Sequence, residues 1–134
     1  MSLGAQPLWR LGFRPFYLMA AIFAALSVAL WAAQFAGLMP AAYLSGPTWH
    51  AHEMLFGYTS AALAGFMLTA IPNWTGRLPV SGTPLLGLVG LWLLGRLVMA
   101  FPEWLGLPAS MLLDACFLPM VAAVAASRPW VSPD

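Results

Sequence analysis

Four long apolar stretches dictate what this chain can become: residues 16–35, 54–71, 84–101 and 107–126. A bilayer core about 30 Å thick is crossed by ~20 mostly apolar helical residues, and each stretch meets that length. Ser27 and Gln34 interrupt the first, and no charge interrupts the second. The third holds Arg96 and the fourth Asp114. The first stretch exceeds the roughly 7–15-residue apolar region of a signal peptide, and three more spans follow it, so it reads as a span. Only 7% of the 134 residues are charged and 62% are hydrophobic, too little polarity to cover a water-facing globule. The expected fold is all-α: a polytopic membrane protein with four transmembrane helices, forming a single unit over residues 1–134. Pro119, inside the fourth span, is expected to kink it, and Pro72 to stop the second.

The arginines orient the bundle. Arg10 and Arg14 precede the first span, Arg77 lies between the second and third, and Arg128 follows the fourth. Four crossings put all of these on one side, while the opposite connectors carry only Glu103. The positive-inside bias therefore places both termini in the cytoplasm. Trp74 and Arg77 read as an interfacial anchor and a contact to anionic headgroups. A net charge of +1 without a basic stripe excludes a nucleic-acid binder. The single cysteine, Cys116, excludes a disulfide framework and a multi-cysteine metal site.

Chemistry concentrates at the opposite, outer end of the second span, in Trp49-His50-Ala51-His52-Glu53-Met54. Histidines and a carboxylate so close together can bind a transition metal, and His or Met can ligate haem iron. His50, His52, Glu53 and Met54 are the candidate metal ligands. The spacing leaves two geometries open. On a helix, at ~100° per residue, His50 and His52 point about 200° apart; His50 then shares a face with Glu53 and Met54 while His52 reaches another partner. If the helix begins after His52, the two rings lie on one side of an extended stretch. The bland alternative also stays open: both histidines cap or anchor a helix end at the interface. Small residues Gly57, Ala61 and Gly65 continue the His50 face and suit close helix packing.

Arg96 and Asp114 lie at similar depth on adjacent antiparallel spans, roughly 8–11 Å below the outer surface at 1.5 Å per residue. An Arg96–Asp114 ion pair is expected. It is either structural, or it has Arg96 neutralising a cofactor carboxylate such as a haem propionate while Asp114 orients a ligand histidine from behind.

Three motifs in order carry a resemblance: Arg14-Pro15-Phe16, the run from Trp49 to Gly57, and Ile71-Pro72-Asn73-Trp74-Thr75-Gly76-Arg77. Together they resemble the NnrS family, polytopic proteins of the bacterial inner membrane associated with haem, copper and nitric oxide metabolism or resistance to nitrosative stress. The resemblance implies haem and copper as cofactors, nitric oxide as a partner, and His50 and His52 as the first ligands to consider. Members of that family are much longer, so the chain is expected to be an N-terminal portion completed by further transmembrane helices or by an oligomer. Enzyme, sensor and metal handler all fit such a protein. A non-enzymatic structural or assembly subunit and a small transporter half are the alternatives.

Overall fold

The computed structural model describes residues 6–39, 44 and 46–131. These form four long helices: α1 (Phe13–Phe35), α2 (Gly46–Thr75), α3 (Thr83–Ala100) and α4 (Leu107–Ala126). All four are long and apolar enough to cross a membrane, and no strand occurs among the described residues. The spans therefore fall where their apolar length places them.

Two boundaries differ from the sequence reading. α2 begins at Gly46, eight residues before the expected start, so both histidines belong to a helix. At its other end α2 runs through Pro72 and stops at Gly76, whose φ of 66° turns the backbone left-handed. Pro72 lies in the last turn, where the one amide bond it removes is a small loss; glycine terminates the helix instead. Within α4 the helix breaks at Cys116, between Leu107–Ala115 and Phe117–Ala126. Pro119 explains the break, since its absent N–H would have bonded Ala115 four residues back.

Packing follows side-chain size. α1 lies along α2, α3 along α4, and the second half of α4 closes against both α2 and α3. Gly57 and Gly65 admit α1: a Cβ at Gly57 would collide with the Phe23 ring, and one at Gly65 would meet Tyr17 at 3.0 Å. The small-residue face of α2 is thus consumed within the chain. In a bilayer, where lipid is as apolar as leucine, such close approach supplies dispersion energy that burial cannot. The opposite face of α2 exposes Leu55, Phe56, Leu63 and Phe66, as does α1 with Leu18, Ile22 and Leu26.

The hydrophobic core occupies one half of the bundle: Phe16, Ala61, Leu68, Leu85, Leu88, Phe117 and Val121. At that end the described termini meet the α2–α3 connection. Gly82 N–H donates to Trp9 O, Leu78 N–H to Pro129 O, and Val131 N–H to Gly76 O. Arg77 does not reach outward. Its Nη1 donates to Ala126 O at 2.5 Å and Arg128 O at 2.8 Å, and its guanidinium lies 4.3 Å from the Trp130 ring centroid. Open carbonyls at the C-terminal end of α4 are held in place beside this arginine and accept from it.

Candidate functional site

The other half of the bundle holds the polar residues. α2 brings Glu53, α3 brings Arg96 and α4 brings Asp114, and all three side chains are buried. Arg96 Nη1 donates to Glu53 Oε2 at 2.5 Å, and Nη2 donates to Asp114 Oδ1. The second oxygen of each carboxylate faces His52: Nδ1 lies 3.0 Å from Glu53 Oε1 and Nε2 lies 3.4 Å from Asp114 Oδ2. The four side chains close a ring, Arg96–Glu53–His52–Asp114, in which each carboxylate has one oxygen toward the guanidinium and one toward the imidazole. Two carboxylates against one guanidinium leave a net charge of −1 with neutral imidazole, and imidazolium brings the sum to zero.

Local sequence explains why the ring can form. Gly95 has no side chain, and a Cβ there would fall 2.9 Å from Asp114 Oδ1, so α4 carries its carboxylate up to α3 at this point. Trp92, one turn before Arg96, stands beneath it: Nε1 donates to Gly57 O at 3.0 Å, and the indole meets Phe23 edge-on at 5.3 Å. The Arg96 guanidinium carbon lies 5.9 Å from both ring centroids, at the edge of cation–π range.

α2 is not a uniform helix here. Glu53–Thr59 forms a π-helical stretch in which Ser60 N–H reaches Leu55 O, five residues back. Such wide turns recur at functional sites. This one leaves the Gly57 carbonyl accessible to Trp92, while Ser60 Oγ donates to Phe56 O and Gly57 O.

His50 and His52 do not converge. On the helix they diverge as their spacing requires: His52 turns toward α4 and stacks on Phe56 at 4.8 Å, and His50 stacks on Trp31 of α1 at 4.6 Å. The helical geometry of the sequence reading is adopted, but Glu53 joins His52 and Arg96 rather than His50. The expected Arg96–Asp114 pair is present, with Glu53 as its second carboxylate. Met54 is half-buried, one turn beyond His50. Trp31 and Trp92 went unread in the sequence, although Trp92 lies four residues before Arg96, on a shared helix face.

The donor set decides what these residues can hold. Among the described residues, no group of three or more His, Cys, Asp or Glu side chains is placed to hold a metal ion. Within the ring, the guanidinium already stands between the carboxylates, where a cation would sit. Each terminal nitrogen of Arg96 uses one of its two N–H groups on a carboxylate, and Nε is buried without a partner, so the guanidinium can still donate toward a cofactor carboxylate. His50 lies outside the ring, and its Nδ1, like Arg96 Nε and Asp114 Oδ2, is buried without a hydrogen-bond partner. A neutral imidazole nitrogen of this kind fits a single ligand position on haem iron or copper.

The family described as NnrS protein matches residues 7–133. The chain belongs to the NnrS family. That membership, together with four membrane-capable helices, points to a multi-pass membrane protein linked to the nitric oxide response. No curated protein and no solved structure gives a significant match.

Proposed function

We propose that this NnrS-family chain is a bacterial inner-membrane unit that contributes His50 as a ligand to haem or copper in nitric oxide metabolism or resistance to nitrosative stress. The observation that carries the reading is the His50 imidazole, stacked on Trp31 with a buried, unpartnered Nδ1. An orphaned buried polar atom is expensive unless something pairs with it. When bound, the metal supplies an open coordination position able to take nitric oxide.

The chain's own residues prepare that position. Trp31 fixes the plane of the His50 ring, and the Arg96–Glu53–His52–Asp114 ring clamps the first turns of α2 to α3 and α4. His52 serves as part of this clamp, and Asp114 holds it from behind. Met54 supplies a second donor on the His50 face. Since one histidine cannot complete a coordination sphere, further ligands come from additional transmembrane helices or from an oligomer. The arginine distribution supports a cytoplasmic location for both termini, with His50 at the opposite surface.

Absorption spectra and copper content of the purified protein test the reading. His50→Ala is expected to abolish the Soret band or the bound copper, while His52→Ala keeps the chromophore but lowers stability. An unchanged spectrum and metal content in His50→Ala would remove the ligand assignment. A second reading, a non-enzymatic assembly subunit, is favoured by α1, of which only 17% of the most apolar window is buried. It predicts that bulky polar substitutions on the exposed α1 face abolish co-purification of partner helices while His50→Ala does not.

A further inference from the structure

Beside the ring, α1, α2 and α3 frame a groove of about 300 Å³ with Trp49, Glu53 and Arg96 among its lining residues. It extends from Phe23 to Leu30 on α1 and from Leu93 to Ala100 on α3. Either distance is seven residues, about 10 Å at 1.5 Å per residue. A transmembrane helix would need a furrow running most of the ~30 Å core. This groove takes a compact group instead. Leu30, Leu93 and Leu97 on its walls are more than 40% exposed, so it opens sideways toward the acyl chains.

Its polar lining restricts the occupant further. Arg96 keeps its Nε–H buried and without an acceptor while both terminal nitrogens hold carboxylates. An incoming group with an acceptor oxygen would satisfy it. An anionic group would add negative charge beside two carboxylates that share one guanidinium, which favours a neutral acceptor. Phe23 and Trp49 offer aromatic surfaces to a flat ring. We propose that the groove binds the head of a lipid-soluble quinone, with a ring carbonyl accepting from Arg96 and the isoprenoid tail leaving past the leucines into the bilayer. Quinone binding here requires no metal at His50.

The full chain, reconstituted in quinone-free phosphatidylcholine nanodiscs and titrated with decylubiquinone, gives the test through quenching of tryptophan fluorescence. Saturable quenching is expected. Leu93→Phe and Ala100→Leu fill the groove from half-exposed or exposed positions outside the charged ring, and each should weaken the apparent affinity about tenfold. Far-UV circular dichroism confirms that both variants remain folded. Linear quenching without saturation, identical in all three proteins, means partition into lipid and overturns the proposal. So does saturable quenching that neither groove-filling variant weakens, which places the quinone elsewhere.

Discussion

Replacing Arg96 by methionine removes the one cation held between Glu53 and Asp114 and leaves two carboxylates facing each other in the bundle. The three side chains are 8%, 5% and 5% exposed, so water cannot take over the lost contacts without opening the helices. With ~4 Å between charge centres and an effective dielectric constant near 20, each ion pair is worth roughly 4 kcal/mol of attraction. Desolvation costs several kcal/mol for each ion, so the intact network sits near balance, whereas removing one partner of a buried pair costs about 3–5 kcal/mol. Arg96→Met should therefore lose ~3–5 kcal/mol in reversible unfolding from dodecylmaltoside into sodium dodecyl sulfate, followed by circular dichroism. Adding Glu53→Gln and Asp114→Asn removes the uncompensated charges, keeps acceptors for His52, and should recover all but about 1–2 kcal/mol. A loss below ~1 kcal/mol in Arg96→Met, or a triple variant as unstable as the single one, would refute the view that charge compensation holds this half together.

Gly57→Ala drives a methyl group into the Phe23 ring, so α1 must shift; a loss of about 1–3 kcal/mol in the same unfolding assay is expected. Trp92→Phe keeps an aromatic face for Phe23 but leaves the Gly57 carbonyl without its indole donor, for about 1 kcal/mol. Gly95→Ala pushes Asp114 away from Arg96, and infrared bands of the carboxylates should move toward those of unpaired groups. Arg77→Ala frees residues 128–131 from the α2–α3 connection. Amide hydrogen exchange at Leu78 and Val131, each bonded across that junction, should rise markedly while exchange in the core of α3 stays slow.

The spans were readable because the bilayer imposes their length, and no tertiary detail is needed to count twenty apolar residues. The Arg96–Asp114 pair was readable for a related reason: depth on antiparallel helices is simple arithmetic, and two charges at one depth seek each other. Glu53 was harder to assign to that pair. The start of α2 is hidden by its polar first turns, so the apolar pattern begins only at Met54 although the helix begins at Gly46. The partners of the histidines depended on the direction of each ring around the α2 axis, which the π-helical stretch resets and which no propensity scale registers. The intrachain partners of Arg77 were not legible locally, because the carbonyls it finds belong to residues about fifty positions away. The groove is invisible in sequence, since its walls are leucines, aromatics and charged residues scattered over three different helices.

The π-helical stretch from Glu53 to Thr59 also acts as a phase shifter. Each residue of a regular helix advances the azimuth by about 100°, so an extra residue accommodated without lengthening the ladder rotates everything before it relative to everything after. The half of α2 that packs against α1 through Gly65 and the half that presents His50, His52 and Glu53 are thereby set at independent angles on one continuous rod. Had the same residues wound as a regular α-helix throughout, the histidine turn would stand roughly a quarter of a revolution away. His50 would leave Trp31, Glu53 would leave Arg96, and the apolar core below would remain in register. One chain position thus uncouples how the helix is packed from where its chemistry points.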